Sequence, residues 1–345
     1  MRFFFTEEDH PTSVRGSEIR MALKVAHHEV IHGAQGETPP PRTDVWMYGL
    51  GVDGEPPLDD AIVRRLLASQ AEVVLFQLCD APNMSFYRIP PELGSRTRLF
   101  LRNHWPKNDN EIPEEYRTKV GFLPPMLKFM RAKPGTQLAG RSHGSVFFGT
   151  RTGFSNMASG SNAREQTVRI MRTSGLPFTG GLLRHPEARY YTEPELLVPK
   201  IRERDHLRLL LDTKICLAPW GNHPLTYRMF EGMALRCLVI AQPVGDARFL
   251  DGGLQAGRHY VEVAPDLENL ADTVGYYLKH LDEAQSIADE GHEHFKRYFQ
   301  ARRKIVSSWI FDATVASWQG LYQPNTHRNP KSFAQSCLAW LFPEH

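Results

Sequence analysis

Residues 214–243, KICLAPWGNHPLTYRMFEGMALRCLVIAQP, decide the fold. The run Lys214–Trp220 is apolar without alternation, as expected of a parallel strand buried on both faces. A Gly/Asn/Pro loop follows, and the pattern predicts a helix starting near Thr226, a residue suited to an N-cap. Apolar residues resume as a second strand, RCLVIAQP. Arg228 falls in the first helical turn, where the helix terminus already favours anions. Glu231 lies three residues on, along the same face. An arginine for a diphosphate and a carboxylate for a ribose is the chemistry a nucleotide needs. The same residues also read as a capped helix carrying an Arg–Glu ion pair.

The alternation extends outward in both directions. Upstream, GSVFFGT reads as a strand and SNAREQTVRIMRTSG as a helix closed by Gly175, with a further helix over 193–211. Downstream, HYVEVA reads as a strand, followed by helices over Asp266–His280, Glu283–Phe299 and Ala301–Tyr322. Before a basic, glycine-containing stretch at 129–142, read as a linker, MRFFF, VWMYGLG, AEVVLFQLC, RTRLFLRN and KVGFLPP are strand candidates. Helices are expected over 14–30 and 59–69, the latter opening on acids that suit the macrodipole. This pattern predicts an α/β protein with two doubly wound, Rossmann-like domains facing across a cleft. The expected boundaries are 1–135, 140–300 and 301–345, the last segment crossing back to the first domain with Trp309 and Trp318 on its packed stripe.

Composition narrows the function. The chain has 345 residues, 41 Lys or Arg against 39 Asp or Glu, for a net charge of +2. That balance, with both signs interspersed, argues against a nucleic-acid partner. Four cysteines without zinc spacing argue against a disulfide framework and a metal centre; Cys79, Cys216 and Cys237 sit in apolar runs and read as buried thiols. The N-terminus does not read as a leader, and no run reaches the ~18 apolar residues of a membrane span. A cytoplasmic location in a reducing compartment is expected, one compatible with peripheral membrane contact. His27-His28 and His32 have helical i, i+4 spacing and form a possible metal pair without a third ligand; they read rather as a solvated face. DxD, P-loop, GxGxxG and GxSxG patterns are absent.

Two further stretches carry chemistry. In Phe147–Gly153 (FFGTRTG) a strand runs into a turn where Gly149, Thr150 and Arg151 offer backbone N–H groups, a hydroxyl and a guanidinium to phosphate. Strand-to-turn segments of this composition are common, so the signal is weak alone. In VVLFQLCDAP, Asp80 ends a buried strand of the first domain. A general base has to be held on such a rigid element near the acceptor hydroxyl; an Asx-turn before proline is the structural reading.

The order of these segments resembles that of glycosyltransferase family 90, the protein O-glucosyltransferase and capsule-associated type. VFFGTRTG with Asn162-Ala163-Arg164, LTYRMFEGMALRCLVIAQP, and the long segment from Gly257 to Phe299 match over roughly 140–300, with a thinner match at 71–84. The Arg228-x-x-Glu231 pattern is closer to exostosin-like transferases. The resemblance implies a GT-B fold and metal-independent, inverting transfer from a nucleotide sugar, most often a UDP-sugar such as UDP-glucose or UDP-xylose, with no cofactor. It implies Asp80 as base, and Gly149, Thr150, Arg151, Arg164, Thr226, Tyr227 and Arg228 around the donor. Asn222 and His223 precede the helix as further donor contacts, and Glu231 would hold the ribose. The acceptor would be a glycan or protein hydroxyl, in polysaccharide or glycan assembly. An epimerase or phosphorylase on the same scaffold, and a non-catalytic nucleotide- or glycan-binding protein, are the alternatives.

Overall fold

The computed structural model describes residues 1–7, 14–50, 58–77, 89–102, 120–122, 136–149, 163–183, 193–221, 224–244 and 253–318. For 14–15, 17–18, 99–102, 120–122 and 300–318 only the backbone is described. The chain divides into two compact units, one of Met1–Lys128 with Gln300–His345, the other of Phe129–Phe299.

The first unit holds strands β1 (Arg2–Glu7), β2 (Glu29–His32), β3 (Val45–Leu50), β4 (Glu72–Gln77), β5 (Thr97–Arg102) and β6 (Val120–Phe122), with helices α1 (Val14–Val25), α2 (Asp60–Ala68) and α3 (Pro91–Arg96). They form a parallel sheet in the order β2-β1-β3-β4-β5-β6. The consecutive phenylalanines of β1 show why the strands lack polar alternation. Phe3 and Phe5 pack with Ile19, Ala22 and Leu23 of α1 on one face, and Phe4 packs with Ile62, Val63 and Leu66 of α2 on the other. A strand covered on both faces needs apolar residues at every position. Asp59 caps α2, its carboxylate accepting from the backbone N–H of Ala61 at 2.7 Å.

The second unit holds β7 (His143–Gly149), α4 (Ala163–Thr173), β8 (Phe178–Leu183), β9 (Leu197–Val198), α5 (Glu203–Leu211), β10 (Thr213–Ala218), α6 (Tyr227–Ala234), β11 (Leu238–Ala241), β12 (Val261–Glu262) and α7 (Leu270–Lys279). Its parallel sheet runs β12-β11-β10-β7-β8-β9. Helix α8 (Leu281–Trp318) begins in this unit and, from Gln300 on, belongs to the first.

Several expectations are corrected. The helix over 14–30 stops at Val25, because Glu29–His32 pair in register with β1 as a strand. His28 and His32 therefore do not share a helix face. The stretch 193–211 is a short 3-10 turn, the two-residue β9 and then α5, and β8 was not anticipated. Its Gly180 and Gly181 have φ of 137° and 157°; a side chain on Gly180 would overlap the Phe147 carbonyl, so β8 lies against β7 only because Gly180 is bare, and one on Gly181 would crowd Leu196 and Val198. The helices expected over 283–299 and 301–322 are the single α8 as far as Trp318. The side chains of Trp309 and Trp318 lie outside the described residues.

The end of the expected linker is also not a tether. Leu138 is fully buried, and Arg141, 2% exposed, donates to the carbonyls of Thr213 (2.7 Å), Leu235 (3.1 Å) and Thr136 (3.0 Å). Residues 136–142 are thus packed into the second unit. Cys216 and Cys237 are free buried thiols, as their apolar neighbours suggested, and burial pushes Cys237 up to about 11. Cys79 and Cys337 lie outside the described residues.

Candidate donor site

In the second unit the chain builds from β7 outward through β8 and β9, then returns to place β10 on the other side of β7. The carboxyl ends of β7 and β10 therefore flank the point where the strand order reverses, the position at which open α/β sheets bind ligands. Gly149 ends β7, and α6 begins beyond the end of β10.

Arg228 sits in the first turn of α6 and turns back over β7. Its Nε donates to the Phe148 carbonyl, and its guanidinium carbon lies 5.1 Å from the centre of the Phe147 ring. The bare Gly149 makes room: a Cβ there would stand 2.8 Å from Arg228 Nη2 and 2.8 Å from the Phe147 ring. Burial lowers the Arg228 pKa from its usual value, partly offset by Glu231, and the group stays cationic. Among the described residues neither Nη atom has an acceptor.

Glu231 lies on the same helix, but its partner is on another. Its Oε2 is 3.4 Å from Nε2 of His206 in α5. Burial would raise the Glu231 pKa, yet the hydrogen bond and charge of His206, with Arg228, bring it below the usual value. No Arg228–Glu231 ion pair within 4.0 Å forms among the described residues. Thr226 occupies the N-cap position with φ −106° and ψ 152°, yet its side chain makes no capping bond. Its hydroxyl is buried without a partner. The cap-and-ion-pair reading of this segment is therefore not realised: each residue it required points elsewhere.

Arg164, the second residue of α4, reaches the β10–α6 loop. A Cβ on Gly221 would overlap its guanidinium and stand 3.5 Å from Thr226 Cγ2, so Arg164 and Thr226 meet at this bare position. The loop is clamped by Gln242, which is fully buried. Its Oε1 accepts from Trp220 N at 2.9 Å and its Nε2 donates to Pro265 O at 2.6 Å, while Trp220 Nε1 donates to Pro243 O at 2.8 Å. Tyr227 opens α6 and is exposed.

Of the expected site residues, the structure brings Gly149, Arg228 and Glu231 together at one corner, and Arg164 and Thr226 at Gly221. Asp80, Thr150, Arg151, Asn222 and His223 lie outside the described residues. His206 and Gln242 were missed: His206 stands outside the motif, Gln242 at its far end, and only pairing of β10 with β7 and β11 brings them in. The arrangement presents guanidinium donors suited to phosphate and a carboxylate acceptor suited to a sugar hydroxyl. Among the described residues no cluster of three or more His, Cys, Asp or Glu is placed to hold a metal, and no helix is long and apolar enough to cross a membrane.

The first unit has its own reversal point, between β1 and β3. Glu7 ends β1 opposite Gly49 of β3; its Oε1 is 3.3 Å from Arg20 Nη1 and 4.0 Å from His32 Nε2. His32 thus faces a carboxylate.

Residues 160–307 match a family described as glycosyl transferase-like, over most of the second unit. No curated protein sequence matches the chain. Among solved structures, the sucrose-phosphate synthase of Thermosynechococcus elongatus aligns over 92% of this chain and 100% of its own, at 11% identity and TM-score 0.56. Alr3699/HepE of Anabaena, solved with UDP, aligns over the same shares at 12% identity and TM-score 0.57. The T4 phage β-glucosyltransferase aligns over 91% of this chain and 99% of its own, at 12% identity and TM-score 0.52. The fold is that of the GT-B glycosyltransferases. With the family matched over its second unit, the chain is an enzyme of the glycosyltransferase class.

Proposed function

We propose that the chain transfers a sugar from a uridine diphosphate sugar, such as UDP-glucose or UDP-xylose, to a hydroxyl of a glycan or protein acceptor, with inversion and without a metal or cofactor. The observation that carries this is the divergence of Arg228 and Glu231. Two oppositely charged residues at pairing distance on one helix are held apart, leaving both Nη groups of Arg228 without an acceptor among the described residues, at the reversal point of the sheet. The UDP and UDP-glucose bound to Alr3699/HepE support the donor class, and the resemblance to family 90 and exostosin-like enzymes supports inversion.

In this reading Arg228, with Gly149, Thr150, Arg151 and Arg164, holds the diphosphate and offsets the charge that develops as the sugar C1–O bond breaks. Glu231 accepts from a ribose hydroxyl, and Asn222, His223, Thr226 and Tyr227 line the approach. Asp80 takes the proton from the acceptor hydroxyl as its oxygen attacks C1 from the opposite face. A cytoplasmic place in polysaccharide assembly accords with the free buried cysteines.

A thermal-shift panel of UDP, GDP, CDP, ADP and dTDP, run in chelator, tests the donor site. A selective shift with UDP, lost in Arg228→Ala, is expected; equal shifts in both proteins would contradict it. Turnover then tests the base: Asp80→Asn keeps donor binding and loses transfer. If Asp80→Asn turns over normally while Glu7→Gln does not, the carboxylate ending β1 is the base. UDP binding without transfer to any glycan or protein hydroxyl would instead favour a binding protein, and conversion of the donor alone an epimerase.

A further inference from the structure

Residues three apart on a helix normally let opposite charges meet. On α6 they do not, and the cause is a side chain from α5. His206 is largely buried, with 13% of its side chain exposed. Its Nε2 is 3.4 Å from Glu231 Oε2, and its ring meets the Phe148 ring edge-on, with centres 5.8 Å apart and planes at 82°. Phe148 is the residue whose carbonyl takes the Arg228 Nε–H. One imidazole therefore touches both the carboxylate and the anchor of the guanidinium. Its Nδ1 is buried with no partner, so Nε2 is the ring nitrogen that serves the carboxylate as donor.

We infer that His206 is a positioning residue of the donor site: by engaging one oxygen of Glu231 it keeps that carboxylate off Arg228 and aims the other oxygen at a ribose hydroxyl. The inference rests on the nucleotide-sugar reading of the site. Three features fit together in it. Glu231 Oε1 has no hydrogen-bond partner among the described residues, so it is the acceptor left over. Both Nη atoms of Arg228 are likewise free, which they would not be if Glu231 swung across to them. The buried Nδ1 has no partner, so Nε2 is the one ring nitrogen engaged and the ring serves Glu231 alone. His206 thereby determines discrimination for a ribonucleoside over its deoxy analogues, separately from diphosphate affinity.

Calorimetric titration with UDP, 2′-deoxy-UDP and 3′-deoxy-UDP tests this. The wild-type protein is expected to bind UDP about tenfold or more tightly than the analogue lacking the recognised hydroxyl, as a hydrogen bond to a charged group warrants. In His206→Ala that ratio falls to about twofold or less, while affinity for the deoxy analogue stays near wild type. His206→Gln, whose amide NH2 can donate to the same carboxylate oxygen, restores most of the ratio. A full ratio in His206→Ala, or equal loss of affinity for all three ligands in both His206 variants, overturns the positioning role. Failure of the wild-type protein to bind UDP, or binding untouched by Arg228→Ala, overturns the donor-site reading itself and is seen before any His206 variant is measured.

Discussion

Gly149 has no side chain because Arg228 uses the space. Gly149→Ala sets a methyl group 2.8 Å from both the guanidinium and the Phe147 ring, so one of them has to move. We expect UDP affinity to fall about tenfold, since small displacements of binding groups are costly, together with a stability loss of about 1–3 kcal/mol. Titration and urea denaturation read the two effects; unchanged affinity would mean that Arg228 is not held where the ligand needs it. Gly180 is a different case. With φ of 137° and the Phe147 carbonyl against it, Gly180→Ala is both conformationally strained and sterically blocked. A loss of about 3 kcal/mol or more in the denaturation free energy is expected, and an unshifted urea midpoint would contradict the β7–β8 approach. That Arg228 and Glu231 share one helix face was legible from their spacing alone. His206 was not, because a hydrogen bond between helices separated by a strand leaves no periodic trace.

Among elements, the loop between β10 and α6 and the docking of α8 carry the clearest consequences. Gln242 ties the end of β10 to the segment leading into α7 through Trp220 N and Pro265 O. Gln242→Ala leaves a buried N–H and C=O without partners, which costs about 1–3 kcal/mol each. Hydrogen exchange should show faster opening at Trp220 and Gly221 than elsewhere in the unit; uniform protection would show that the clamp is dispensable. On α8, His294 stacks on His259 with ring centres 4.3 Å apart, both 3% exposed. Burial, with the nearby His259, Arg297 and Arg258 charges, pushes His294 down to about 3, and burial also lowers His259. The folded protein keeps His294 neutral while the unfolded chain binds a proton below about pH 6.5. Stability is therefore complete above about 6.5 and declines as pH falls toward about 3, by up to ~1.4 kcal/mol per pH unit from His294 alone. Urea midpoints at pH 7.5 and 5 should differ in the wild type and converge in His294→Phe; equal slopes would assign the acid sensitivity elsewhere.

At the scale of the whole molecule, ligand binding to the folded state is the most direct handle. UDP at ~100 times its dissociation constant should add ~2.7 kcal/mol of stability, seen as a rise of several degrees in melting temperature. Chelator should leave both this rise and the transfer rate unchanged; loss of transfer that added magnesium or manganese restores would show a metal-dependent reaction. Local signals foretold the two α/β units, because a strand covered by helices on both faces has to be apolar throughout. Asp60–Ala68, Ala163–Thr173 and Tyr227–Ala234 likewise declared themselves as helices by periodicity. Elements short of such signals escaped: β2, hidden behind helical spacing that runs on past Val25, and β8, whose glycines read as breakers until β7 is set beside them. Residue pattern alone gave away the class of fold and the place of Arg228 and Glu231 on one helix, since burial and helix geometry impose their periods locally. Three-dimensional packing was needed to show that Arg228 and Glu231 part company, that Arg141 packs rather than tethers, and that His206 meets Glu231. Those outcomes depend on strand order and on contacts between residues distant in the chain, and local periodicity does not encode them.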